Sequence, residues 1–305
     1  MRRPGSEPLM ARLMVKTEAK RTGQDRAGRS RAARCRTGRP RAPRGPLAPS
    51  GVPRWLLLPA AGGALLVLLP VAAMFLQVSW SDLPSLLTSE PAVDALLLSL
   101  RTAAVATLLC LLLGVPLATV LAQARFRGVS LLRGLVLLPL VLPPVVGGIA
   151  LLTVFGRQGL LGGTLELLGL QIAYSTTAVV LAQTFVSLPF LVVTAETALR
   201  DLDPQMVEAA VMDGAGRSTV LRTVAMPLIL PSLISGVILA FARALGEFGA
   251  TIAFAGSMQG VTRTLPLEIY LQRETDPQAA VALSLLLVLL ALLVIGLTGL
   301  RRERP

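Results

Sequence analysis

The chain has 305 residues, of which 53% are hydrophobic and 15% charged, and its mean hydropathy is +0.70. A single soluble domain of this length is excluded, because the apolar residues are gathered in long blocks. Histidine is absent and cysteine is limited to Cys35 and Cys110. The commonest general base and the commonest transition-metal ligand are therefore missing, so no metal and no cofactor is expected on this chain.

The formal net charge is +12, and its distribution matters more than its size. Residues 1–54 hold fifteen Lys and Arg against three Asp and Glu, whereas the remainder holds fourteen of each. Residues 1–53 are rich in Arg, Pro, Gly and Ser and cannot bury enough apolar surface to order themselves. Two readings stay open: a disordered basic tail in the cytoplasm, or a true start near Val52. A cleavable signal peptide fits less well, since its charged region is too long and the next apolar run is of spanning length. Charge alone permits nucleic-acid binding, but the tail has no Phe, Tyr or Trp to stack on bases, so nucleic acid is not an expected partner.

Six blocks lack charged side chains for the roughly 20 residues that a helix needs to cross the hydrocarbon core. They are 55–81, 102–124, 134–156, 167–195, 223–242 (continuing to about 254) and 277–300. The fold class is thus all-α, a polytopic membrane protein with six transmembrane helices. With the basic tail in the cytoplasm, the positive-inside rule is satisfied by three groups on the same side. These are Arg125, Arg127 and Arg133; Arg200, Arg217 and Arg222; and Arg301, Arg302 and Arg304. Arg157, Arg263 and Arg273 fall on the other side, with Arg101 and Arg243 near span ends. Both termini come out cytoplasmic. The divisions are a tail (1–53), a first span with its outer loop (54–93), a membrane domain (94–300) containing a loop at 200–227, and a short C-terminus (301–305).

The third block contains Pro139, Pro143 and Pro144, then Gly147 and Gly148. Each proline removes a backbone donor and clashes with a carbonyl one turn earlier. In lipid the freed carbonyls need partners from protein or from a wet cavity. Two readings stand, a packing kink and a broken helix beside a translocation path. In the fifth block Ala242, Gly246 and Ala250 are four apart, a spacing that lets helix backbones approach closely. Arg243 and Glu247 are also four apart on one face. They are either a mutually neutralising pair or part of a gate. Pro143, Pro144, Gly147, Gly148, Arg243 and Glu247 are the candidate pore or gate residues.

The connection after the fourth block reads as a short helix, a tight turn and a second helix. Asp203 is a good N-cap and Pro204 suits the first helical position. Val207, Ala210 and Val211 form a narrow apolar stripe. Gly214 supplies the positive φ that ends a helix, Ser218 caps the next one, and Pro227 opens the fifth span. Such a segment suits docking to a soluble partner better than mere linkage.

Glu208-Ala209-Ala210, with Gly214 six residues after the glutamate and Pro227 thirteen further on, resembles the "EAA" loop of permeases of bacterial ATP-binding-cassette importers. The resemblance covers about 94–300. It implies the type I importer permease fold and a coupling helix seated on an ATPase subunit. By the same likeness Glu208, Ala209, Ala210, Gly214, Ala215, Arg217, Leu221 and Pro227 belong to the coupling loop. Leu221 departs from the family, which often has an aromatic residue there. Three further segments, 138–148, 242–251 and 262–270, look like those of molybdate permeases, with related stretches in sulfate and thiosulfate permeases; tungstate is a near-isostere of molybdate. The implied partners are a second copy of the chain in a homodimer, a cytoplasmic ATPase dimer, an extracytoplasmic molybdate-binding protein and membrane lipid. The implied location is the bacterial inner membrane, and the implied mechanism is alternating access.

The chain has no P-loop, which needs a lysine directly after glycine. Its only lysines, Lys16 and Lys20, follow Val15 and Ala19. ATP and Mg are accordingly expected on a separate subunit, and this chain is not expected to be an enzyme. Arg243 is the one candidate for attracting an anion, and selectivity is expected mainly in the binding protein, because conduction requires release. An ion-driven secondary transporter would carry carboxylates or histidines within its spans. Here only Glu247 does so, and the 208–227 loop would be left unexplained. An integral membrane enzyme lacks support from any nucleophile-and-base pattern.

Overall fold

A computed structural model describes residues 53–124 and 126–302, so the expectations for the basic tail fall outside the described residues. After a 3-10 turn at Arg54–Leu56 the elements are α1 (Leu57–Gln77), α2 (Leu83–Leu87), α3 (Glu90–Gln123), α4 (Val129–Val141), α5 (Pro144–Phe155), α6 (Gly162–Leu167) and α7 (Thr176–Arg200). Then come α8 (Pro204–Met212), α9 (Arg217–Leu245), α10 (Gly249–Ala255), α11 (Leu265–Thr275) and α12 (Pro277–Arg302). No strand occurs among the described residues. Five helices, α1, α3, α7, α9 and α12, are long and apolar enough to cross a membrane; α4 and α5 together make a sixth candidate.

The chain divides into two parts, Met1–Leu66 and Val67–Pro305, and the division falls inside α1. The described residues of the first part include the 3-10 turn and the opening turns of α1, and α1 buries no side chain. The second part is built around α3, α7 and α9. Ala103 and Ala106 of α3 meet Val180 of α7 and Ala244 of α9, and Cys110, Leu191 and Ala240 continue the seam. Lipid offers little hydrophobic drive for helix association, so small residues that permit close van der Waals contact do that work. Gly114 and Gly236 extend the pattern, since a methyl at either would stand 3.1 Å from an α7 side chain.

Of the two readings of the third span the broken helix holds, and two other expectations are corrected. In the third span α4 and α5 meet at Pro143 and Pro144 with a bend of 118°. A proline kink alone is gentler; here adjacent prolines fix extended backbone at the join (Pro143 ψ 132°), and the second proline starts a new helix where its missing N–H has no role. The fourth span begins at Thr176, nine residues later than its apolar block. Gly169 and Tyr174 adopt positive φ (69° and 60°) and interrupt the helix before Ser175 caps it through the Ala178 N–H. The fifth span does not run on to 254, because α9 stops at Leu245 and α10 starts afresh at Gly249. Ala242, Gly246 and Ala250 therefore do not share one helix face.

The start of α9 also differs from expectation. Gly216, not Ser218, stands at its N-cap, and the helix runs from Arg217 through Pro227 without a fresh start. A π-turn at Leu221–Ala225 makes this possible. Widening the coil relieves the clash between the Pro227 ring and the carbonyl one turn earlier. At the second span, α3 opens at Glu90, so Arg101 lies within the helix rather than at its end.

Candidate functional site: an exposed capped helix and two interrupted spans

The first group of candidate residues lies in α8 and the start of α9. The Asp203 carboxylate accepts the Gln205 N–H at 2.9 Å, and Pro204 occupies the first turn. At the other end Gly214 takes φ +85°. Its N–H donates to the Val211 carbonyl and the Ala215 N–H to the Ala210 carbonyl, both at 3.0 Å. These two bonds form a Schellman motif, which fixes where the chain turns. No atom lies within 4 Å of a Cβ built on Gly214, so its requirement is purely conformational.

The helix so fastened at both ends buries none of its residues. Met206, Val211 and Met212 are exposed, Met212 to 87%, beside the exposed Glu208 and Ala209. Ala210, Ala215 and Leu221 are half-buried, while Arg217 and Pro227 face outward. Beneath α8 runs a cavity of about 410 Å³ whose walls include Val207, Glu208, Arg217 and Leu221, with Gln123 of α3 and Leu199 of α7 opposite. The capped helix thus presents Met206, Val211 and Met212 on its outer side.

The second group sits where the two interrupted spans meet. A methyl on Gly148 of α5 would stand 2.6 Å from the Ala250 carbonyl oxygen and 2.8 Å from the Ala253 Cβ of α10. A methyl on Gly249 would stand 2.8 Å from the Pro144 Cβ. Two half-helices thus cross with backbone against backbone, and only glycine fits at the crossing. Gly147 faces α7, where its Cβ would be 3.0 Å from the Phe185 ring. Pro143 forms the join itself.

Glu247 closes the second break. It is 1% exposed. One carboxylate oxygen pairs with Arg243 at 2.7 Å, and the other accepts the Ala250 N–H at 2.7 Å. A single side chain therefore neutralises a guanidinium at the end of α9 and satisfies an orphan donor at the start of α10. The expected pairing of Arg243 and Glu247 is present, although Glu247 lies beyond the helix end rather than on a shared helical face. Arg243, Glu247, Pro144 and Gly148 come together around the start of α10. The α8 group forms a separate cluster.

Other polar residues of interest escape a reading of the sequence. Glu196 of α7 accepts from Arg133 at 2.6 Å and forms an ion pair with Arg200 at 2.9 Å. Glu268, 1% exposed, pairs with Arg263 at 3.4 Å and accepts from Gln272 at 2.7 Å. Gln183, Ser187 and Thr251 are buried with side-chain polar atoms that find no partner among the described residues. Gln183 and Ser187 are one helical turn apart on α7, a relation visible in the sequence once burial is known.

Helices of spanning length, with two spans interrupted where they cross, are an arrangement found in membrane transport components. Residues 110–302 match the family described as "Binding-protein-dependent transport system inner membrane component". The chain belongs to that family. It is 58% identical over 253 residues to the "Molybdenum transport system permease protein ModB" of Mycobacterium tuberculosis, covering 83% of this chain and 96% of that one. It is 35% identical over 235 residues to the "Sulfate transport system permease protein CysT" of Salmonella typhimurium, covering 76% and 85%. Among solved structures, a bacterial ABC transporter involved in alginate import superposes with a TM-score of 0.64 at 17% identity, covering 82% of this chain and 95% of that one. That likeness establishes the fold as the type I importer permease fold.

Proposed function

We propose that this chain is the membrane-spanning permease of an ATP-driven importer that brings molybdate, or its near-isostere tungstate, into the cytoplasm. The substrate reading rests on one observation. Identity to a molybdenum permease is 58% across almost the whole of that relative, against 35% to a sulfate permease. The coupling reading rests on the capped α8, which carries Glu208, Ala209 and Ala210 on a helix none of whose residues is fully buried by its own chain.

In this reading α8 and both termini lie in the cytoplasm, and the permease acts as a homodimer. A separate pair of ATPase subunits holds ATP and Mg, and an extracytoplasmic binding protein delivers the oxyanion. ATP binding draws the two ATPases together, and each α8 rides with its ATPase. The α5–α10 crossing then shifts and opens the path to the outer side. Hydrolysis resets it. Arg243, already engaged with Glu247, offers no free cationic site in the described arrangement, which suits a path that must release its ion.

The test is uptake of labelled molybdate in cells that lack their own molybdate importer and carry this chain with its ATPase and binding protein. Uptake that excess sulfate leaves unchanged supports the reading. Uptake of sulfate in place of molybdate would retain the importer and overturn the substrate.

A further inference from the structure

Glu196 is 6% exposed and lies one turn from the end of α7. Its Oε1 accepts from Arg133 Nε at 2.9 Å and Arg133 Nη2 at 2.6 Å, and it forms an ion pair with Arg200 Nη2 at 2.9 Å. The same two guanidinium groups also donate to one carbonyl, that of Leu121, at 3.2 and 3.0 Å. Leu121 stands in the last turn of α3, where carbonyls have no helical partner of their own. One carboxylate and two arginines therefore join the end of α3, the helix α4 and the end of α7.

The identity of α4 gives this junction its meaning. It is the first limb of the interrupted third span, and it buries no residue of its own. Leu132 and Val136 lean on a small cluster with Leu121, Val192 and Ala195, but the directional tie is Arg133. On the other side Arg200 is three residues from Asp203, the cap of α8. Leu199 lines the cavity under α8 and packs with Ala225 and Ile229 of α9. Glu196 thus stands between the end of α7 that leads into the exposed helix and the first limb of the broken span.

We infer that Glu196 is a positioning residue for transport, converting displacement of α8 into displacement of α4 through Arg133. This inference rests on the permease reading above. The two charge-assisted N–H bonds from Arg133 tie α4 to Glu196 more strongly than the apolar contacts beside them. Burial of Glu196 also makes the junction resist slippage, since withdrawing Arg133 would leave the buried carboxylate with Arg200 alone.

The experiment reconstitutes the full complex, this chain with its ATPase and binding protein, in proteoliposomes, and measures substrate accumulated per ATP hydrolysed. Glu196→Gln is expected to lower that ratio about fivefold while the complex still assembles and hydrolyses ATP. Arg133→Gln, which leaves Glu196 paired with Arg200, is expected to lower it similarly. Glu196→Asp is expected to recover most of the ratio. An unchanged ratio in assembled Glu196→Gln or Arg133→Gln overturns the inference. Failure of both variants to assemble also overturns it, in favour of a purely structural role. Wild-type complex that hydrolyses ATP but accumulates nothing would instead overturn the permease reading itself.

Discussion

Gly148 of α5 meets the backbone of Ala250 in α10 so closely that a methyl group at Gly148 would lie 2.6 Å from the Ala250 carbonyl oxygen. The obstacle is main chain and cannot rotate away. Gly148→Ala is therefore expected to destabilise the protein by about 1–3 kcal/mol and to depress transport, whereas Gly163→Ala, with open space around it, is expected to do neither. Thermal unfolding in detergent, followed by uptake, checks both. Equal melting temperatures for the two variants would contradict the close crossing.

Arg243 and Glu247 should behave asymmetrically. Removing the arginine, as in Arg243→Met, leaves a carboxylate 1% exposed without its counter-charge and is expected to cost about 3–5 kcal/mol. Glu247→Gln keeps an oxygen for the Ala250 N–H and should cost less. The double variant should recover part of the loss from Arg243→Met. Denaturant unfolding of the three variants reads the coupling directly. Additive losses would show that the two side chains act independently.

Gly214→Val tests the exposed helix. A β-branched residue at φ +85° is strained by roughly 1–2 kcal/mol, although nothing crowds the site. The Schellman bonds should loosen and α8 should lose its fixed direction. The expected result is a protein that inserts normally, with ATP hydrolysis no longer matched by uptake. Normal uptake would remove the coupling role from this loop.

Deleting residues 1–51 should leave uptake unchanged. The basis is composition: the basic tail lacks the apolar residues that a packed element requires. Comparison of uptake at equal membrane levels of the two chains decides it, and a several-fold loss would show that the tail takes part.

Much of this architecture is legible in the sequence because the membrane imposes it. Apolar blocks report spans by length alone, and Asp203, Pro204 and Gly214 report α8 because caps and positive φ are local chemistry. The break after Leu245 is not legible. The run Ala244-Leu245-Gly246-Glu247-Phe248-Gly249 fits a helix with small residues at regular spacing, and hydropathy does not register whether its backbone bonds are made. Glu196 is hidden for a different reason. Its partner Arg133 is 63 residues away, and within one apolar-to-polar boundary a buried carboxylate looks the same as an exposed one. Arg133 and Arg200 enter a sequence reading only as topology markers, while their second task depends on three helix ends converging.

This chain is expected to couple ATP hydrolysis on a separate subunit to oxyanion import. The most direct measurement is labelled molybdate accumulation in proteoliposomes holding the chain with its ATPase and binding protein, with ATP supplied to the ATPase side. The expected result is accumulation that requires ATP and the binding protein and that persists under excess sulfate. Accumulation driven by a proton or sodium gradient without ATP would contradict it.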